Sequence, residues 1–434
     1  LDIQGIYPST EISVNRAAQI ERWLKVAVLA GIVFAIAWGA ELRVKDLQDI
    51  GARTLDERVY TAFSSQLFAG GWPAMPQIFF GYLHDPGSWD YPPPTRLSTL
   101  ALVSSVMGIT GVHDVRAGAW VDCATSIVSL ILVGITGWRL FNPATALVAT
   151  TLMAFCFTEL AGARRSWQDT TLGAITLAAL YVSSAIIRQP QAVARYAYFL
   201  ALGVVLLLTK QSGALVYAIC SVAIAMALYL QPQRWLRLAL FAASCLASLA
   251  VAIWLLCLAA GGLQPALDAL LHSIKPGAGT QAYMATALSA PPEEFLSVLF
   301  MLNPFVFTME VIGFVALLRT AVFMDTGPCD GAERINAALI ATLFLAFVLF
   351  VGLYPGAQDL RFFSPATAAG CLLAAIGSCR LVERAQRKSG ALAIAAAMIL
   401  AAAGILCLEQ EYAFYQSRIV AGDLQDLCVS WLHV

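Results

Sequence analysis

Apolar stretches close to twenty residues long recur along almost the whole chain, separated by short polar loops. A helix rises about 1.5 Å per residue, so about twenty residues cross the roughly 30 Å hydrocarbon core of a bilayer. Lipid offers no hydrogen bonds, so each stretch must satisfy its own backbone and is expected to be helical. Spans are expected near 23–42, 117–137, 143–160, 170–187, 196–210, 213–230, 238–260, 298–320, 335–354, 365–382 and 390–408. The fold class is therefore an all-α polytopic membrane protein with about eleven transmembrane helices. Composition agrees: 59% of the 434 residues are hydrophobic and 12% charged, about half the charge of a soluble domain. The formal net charge is −1, which by itself says nothing about nucleic acid, and no Lys/Arg block suggests a polynucleotide groove, so no nucleic-acid partner is expected. The ten cysteines lie mostly within apolar runs, without a CxxC pair or Cys/His cluster. They read as small buried hydrophobes, neither a zinc site nor a disulfide framework.

Charge orients the spans. Arg16, Arg22 and Lys25, then Arg139, then Arg188 and Arg195, then Arg234 and Arg237, then Arg319 and Arg334, and finally Arg380, Arg384, Arg387 and Lys388 all fall on one side. That side is expected to be cytoplasmic. Residues 1–22 form a cytoplasmic N-terminal segment without a signal-peptide pattern. The opposite loops are 43–116, 161–169, 211–212, 261–297, 355–364 and an external tail over 409–434. The run 97–112 decides parity. At about sixteen residues it is short for a span, so it is expected to lie on the outer face. The first external loop then carries two interfacial helices, near 55–69 and 96–112. In the first of them Leu55, Val59, Phe63 and Leu67 repeat at helical spacing, which predicts an apolar face, with Asp56 and Tyr60 one turn apart on another.

Some cations break the orientation rule. Arg164, Arg165, Lys210 and Arg361 fall on the external side, in short loops or at span ends. Carboxylates return at the same level: Asp56 and Glu57, Asp169, and Asp359. Taken singly, each has a bland reading, such as headgroup snorkelling for the cations or a helix N-cap for Asp169. Together they predict one site assembled from several loops on one face.

The ordered series of motifs carries a resemblance. An external acidic pair in "LDERVY" precedes "DYPPPTRLSTLAL", then "ELAGARRSWQDTTLGAITLAALY", "LLLTKQSGALVY" and "LYPGAQDLRFFSPATAAGCLLAAIG". Over about residues 20–385 the chain resembles the GT-C superfamily of integral-membrane glycosyltransferases, in the branch of protein O-mannosyltransferases and bacterial lipid A aminoarabinose transferases. The resemblance implies that Asp56 is the catalytic carboxylate, with Glu57 beside it. The family's proline motif matches Tyr91-Pro92-Pro93, where Tyr91 departs from the usual His or Lys, and Arg96 or His84 is the substitute. Arg165 and Asp169 match the second-loop motif. Lys210-Gln211-Ser212 retains only the Lys of a Lys-Gly-Pro-like turn. Arg361 and Pro365 match a late Arg-Tyr-x-x-Pro motif, with Phe362 in place of Tyr.

The implied partners are a lipid-linked sugar donor, on a polyprenyl phosphate or pyrophosphate, and a lipid, glycan or protein acceptor. In that scheme Asp56 takes the proton of the attacking hydroxyl, and Arg165, Lys210, Arg361 and Arg96 hold the lipid phosphate. Glu57 and Asp169 orient the acceptor or a cation, and Tyr60, Tyr91 and His84 line the substrate. The expected outcome is a single inverting displacement at the outer membrane face, that of a bacterial inner membrane. A divalent cation is compatible with the acids, but no ligand spacing calls for one. Phosphate is a weak base and leaves without a general acid, unlike the leaving group of a hydrolase. Two other classes stay open: a non-catalytic membrane subunit that docks a partner, and a transporter or flippase. Glu310, an ionisable residue within a span, is the feature that favours transport, and Asp122 is a second such residue.

Overall fold

A computed structural model describes residues 9–45, 47, 55–85, 92–231, 234–272, 291–322, 331–353, 359–421, 427, 429 and 432. The chain order is α1 (Ser9–Val44), α2 (Leu55–Gly70), α3 (Met75–His84), α4 (Leu97–Thr110), α5 (Val115–Leu140), α6 (Pro143–Phe155), α7 (Phe157–Ala163), α8 (Asp169–Arg188), α9 (Ala194–Thr209), α10 (Ser212–Tyr229), α11 (Arg234–Ala260) and α12 (Leu263–His272). After these come α13 (Pro292–Leu302), α14 (Pro304–Val322), α15 (Gly331–Leu353), α16 (Ser364–Gln386) and α17 (Gly390–Tyr415). Among the described residues nine helices are long and apolar enough to span a membrane; the bent pair α6–α7 makes a tenth candidate, and α9 is a shorter apolar helix. The fold is an all-α, multi-pass integral membrane bundle.

Local chemistry sets many of the boundaries. Asn142 caps α6 by accepting from Thr145 N–H at 2.8 Å, with Pro143 in the first turn. Ser389 caps α17 by accepting from Leu392 N–H at 3.1 Å. Each satisfies a donor that the helix itself cannot. Burial ranks the bundle. The span containing α16 is 89% buried over its most apolar window and that of α8 is 72%, whereas α1, α14 and α17 are buried over 17% or less. Hence α8 and α16 form the centre, and the others turn most of their surface toward lipid.

Four local expectations are corrected. The run 298–320 is not one helix: it breaks at Asn303, whose side chain accepts from Val306 N–H at 2.9 Å. The run 143–160 breaks at Cys156 and bends by 55° between α6 and α7. The last helix does not stop at 408 but runs to Tyr415 and continues as a π turn over Gln416–Val420. Between the two expected interfacial helices lies a third, α3, so the first loop is more helical than the sequence pattern suggests.

The first-loop helices hold their position through a second apolar cluster. Tyr60, Leu67, Met75, Phe79 and Leu100 pack there with Leu208 of α9 and Leu256 of α11. The buried stripe of α2 runs through Glu57, Tyr60, Ser64 and Leu67, while Val59 and Phe63 are only partly buried. This differs from the stripe expected from apolar spacing. An acid can occupy a buried stripe when its charge is paired there, and Glu57 is paired.

Candidate active site at one end of the bundle

The cluster begins at the first turn of α2, where Asp56 and Glu57 follow each other. Carboxylates at a helix N-terminus face the positive end of its dipole. Successive helical residues point about 100° apart, so the two acids diverge. Glu57 is fully buried: its Oε2 lies 3.2 Å from the Arg165 guanidinium, and its Oε1 accepts Ser166 N–H at 3.0 Å. Asp56 stays one-third exposed and its Oδ2 lies 3.4 Å from an Arg361 nitrogen.

Arg361 sits in a 3₁₀ turn, Leu360–Phe363, immediately before α16. Asp359 aims it: Oδ1 accepts the Arg361 backbone N–H at 2.9 Å, and Oδ2 lies 2.9 Å from Nε. Trp167 lies between two cations, with its ring centroid 4.8 Å from the Arg165 guanidinium carbon and 5.6 Å from that of Arg361.

The α7–α8 loop carries the middle of the site. Gln168 has φ of 68°, the left-handed region that non-glycine residues rarely adopt. Two contacts hold it there. Its N–H donates to Asp122 Oδ2 at 3.0 Å, and its side-chain oxygen accepts from Arg96 at 2.7 Å. Asp122 also accepts from the Thr171 hydroxyl at 2.7 Å, which fastens the first turn of α8. Strain of this kind persists where the surroundings over-determine the backbone.

Lys210, between α9 and α10, donates to Asp169 Oδ1, and its ammonium lies 4.2 Å from the centroid of the Phe362 ring. Burial pushes the Lys210 ammonium down from its ordinary value to about 8, with Asp169 opposing the shift and the Arg96 and Arg361 charges reinforcing it. Arg96 lies 4.8 Å above the centroid of Tyr60. Burial raises the Tyr60 phenol well above its ordinary value, so it stays protonated.

The bend at Cys156 delivers this loop. A broken helix exposes carbonyls on one side of the break and N–H groups on the other. Arg43, fully buried, donates to the Met153 and Ala154 carbonyls at 2.9 and 3.0 Å and to Ser126 at 2.6 Å. Glu411 accepts the Phe157 N–H at 2.6 Å and is itself held by Asn303 at 2.6 Å. On α7, Glu159 then accepts from Ser126 at 3.1 Å and from Ser364, at the start of α16, at 3.0 Å.

Thus Asp56, Glu57, Asp169, Arg165, Lys210, Arg361, Arg96 and Tyr60 come together. His84 does not join them: it is exposed, with Nδ1 2.9 Å from the Phe80 carbonyl oxygen and its ring stacked on Phe80. Tyr91 lies outside the described residues. Glu310 lines a separate cavity of about 70 Å³ with Glu411 and Asn303. Sequence reasoning missed Gln168, Trp167, Arg43, Glu159 and Glu411. For Arg43, Glu159 and Glu411 a signal existed, since ionisable residues inside apolar segments demand partners. Among the described residues no three His, Cys, Asp or Glu side chains converge as metal ligands.

No protein-family model and no curated protein matches the sequence. Solved structures do match. The oligosaccharyltransferase AglB from Archaeoglobus fulgidus, in complex with an inhibitory peptide and a dolichol-phosphate, is similar with a TM-score of 0.60 at 11% identity, covering 91% of this chain and 56% of its own. ArnT from Cupriavidus metallidurans bound to undecaprenyl phosphate gives 0.54 at 14% identity, covering 94% and 76%. ArnT in the apo state gives 0.53 at 18%, covering 93% and 69%. The chain has the GT-C fold. It spans just over half the length of the archaeal GT-C structure. Within this GT-C bundle, the cluster draws on the first loop, the α7–α8 loop, the α9–α10 joint and the turn before α16.

Proposed function

We propose that this chain transfers a sugar from a polyprenyl-phosphate-type donor to an acceptor hydroxyl at the membrane surface. One observation carries the reading: Asp56, the exposed member of the acidic pair, stands beside Arg361, with Lys210, Arg96 and Arg165 in the same cluster. AglB and ArnT were each captured with a lipid phosphate, which supports the donor class. In this scheme the Asp56 carboxylate accepts the hydroxyl proton as the oxygen attacks the anomeric carbon. The bond from that carbon to the phosphate oxygen breaks on the opposite face, so the configuration inverts. The phosphate leaves with the bonding pair, and Arg361 and Lys210 stabilise its charge. Glu57 and Asp169 act by holding Arg165 and Lys210 rather than by taking a proton, since both are buried against those cations.

The same reading puts the cluster on the external face, opposite the basic loops, with 1–22 cytoplasmic and the external segments 43–116 and 261–297 belonging to the transmembrane module over 23–408. The test is transfer from a labelled polyprenyl-phosphate sugar in proteoliposomes, with donor and acceptor drawn from the native membrane. Asp56→Asn is expected to lower turnover by about 10²–10⁴-fold with an unchanged helical spectrum and elution profile. Full transfer by that variant would overturn the assignment of the base.

A further inference from the structure

A second cavity, of about 250 Å³, lies at the other end of the bundle. The helix α8 runs from Asp169 in the cluster to Arg188 at this cavity, and at about 1.5 Å per residue its length separates the two by roughly 30 Å. Likewise α16 starts beside the cluster at Ser364 and brings Arg380 and Glu383 to the cavity. Ends of six helices, α5, α6, α8, α14, α15 and α16, converge around it.

Its chemistry is specific. Arg188 donates to the Arg139 and Leu140 carbonyls at 2.6 and 3.1 Å, which closes the end of α5 and fixes the guanidinium. Arg380 pairs with Glu383 at 3.1 Å, both about half exposed, and Glu333 is also exposed. The wall includes Asn336, which is 5% exposed, and among the described residues neither polar atom of its amide has a hydrogen-bond partner. Buried amides in native proteins find partners with few exceptions, so a buried, unpartnered amide beside a cavity points to a ligand. Phe141 and Leu317 add apolar side chains to the lining.

Two cations and two carboxylates line the cavity. An anion alone would meet Glu333 and Glu383, and a cation alone would meet Arg188 and Arg380. A zwitterion matches both. The position at the ends of membrane-spanning helices, with apolar side chains in the lining, is where phospholipid headgroups lie. We propose that this cavity binds the phosphoethanolamine headgroup of a membrane lipid, its phosphate toward Arg188 and Arg380, its ammonium toward Glu333 and Glu383, and an ester or phosphate oxygen on the Asn336 amide. The site is independent of the transfer reaction proposed above.

Native mass spectrometry of the full chain, titrated with phosphatidylethanolamine, phosphatidylglycerol or soluble phosphoethanolamine, tests this. The expected result is a single phosphatidylethanolamine adduct that Asn336→Leu and Glu383→Gln each weaken about tenfold or more. Phosphatidylglycerol binding should be weaker and insensitive to Glu383→Gln. Glu383 lies on the exposed rim, so its variant reads the site even if Asn336→Leu folds poorly. Equal binding of the two lipids, or adducts unchanged in Glu383→Gln, overturns the proposal, as does a cavity holding only water, seen as no variant-sensitive adduct. Soluble phosphoethanolamine binding as tightly as the lipid overturns the assignment to a membrane lipid.

Discussion

At the residue scale, the acidic pair divides its work by burial. Asp56 is one-third exposed and Glu57 not at all. Removing one partner of a buried ion pair leaves the other charge uncompensated, which costs about 3–5 kcal/mol. Glu57→Gln is therefore expected to lower the thermal unfolding midpoint markedly, whereas Asp56→Asn should scarcely move it while removing activity. A melting series on both variants checks the contrast. Lys210 gives a pH signature. Its folded-state pKa lies below the ordinary lysine value, at about 8. Its charge is present below that pH and is lost as pH rises through it. Affinity for the lipid phosphate should fall above about pH 8, and Lys210→Arg should remove that alkaline limb because arginine keeps its proton. KM against pH for both proteins is the measurement. The recurrence of acids and cations at matching places along the chain was legible in the sequence. The pairing was not, because partners such as Glu57 and Arg165 lie in loops far apart along the chain.

At the scale of elements, two devices shape the bundle. The first is the stapled bend at Cys156, where Arg43 takes the freed carbonyls and Glu411 a freed N–H. Hydrogen bonds to charged groups contribute about 1.5–3 kcal/mol each. Arg43→Met should therefore cost about 3 kcal/mol or more and loosen the Arg164–Gln168 loop, read as faster hydrogen exchange at 164–168 and a fall in transfer rate. The second is the α14–α16 contact. A Cβ on Gly313 would lie 1.9 Å from the Leu373 carbonyl oxygen, and one on Gly377 would lie 2.3 Å from that of Met309. Glycine here permits backbone-to-backbone approach, as small residues do between membrane helices. Gly313→Leu should force the helices apart and reduce the yield of monodisperse protein, with Gly390→Leu, which meets open space, as the control. The helices themselves were legible from hydropathy. The break at Cys156 was not, because apolar residues flank it and its stabilising partners come from other helices, whereas Asn303-Pro304 carries a helix-start signal of its own.

At the scale of the whole molecule, α8 and α16 link two chemically distinct ends: a charged cluster at their start and a polar cavity near their finish. The basic loops gather at the second end, so the first should face the exterior. In a background stripped of accessible cysteines, Thr110→Cys should react with a membrane-impermeant thiol reagent in intact cells, and Lys388→Cys only after permeabilisation. Labelling of both without permeabilisation would contradict the orientation.

Hydropathy alone determined that this chain is a helical membrane bundle, because a lipid-exposed backbone has one local solution and length reports it residue by residue. The tertiary structure decided which acid is open and which is buried, where helices break, and that an amide on α15 beside a cavity is unpartnered. Those outcomes depend on contacts between residues one hundred or more positions apart, such as Glu57 with Arg165 and Phe157 with Glu411. No local pattern encodes the free energy of such a contact, since it exists only once both segments have been packed side by side.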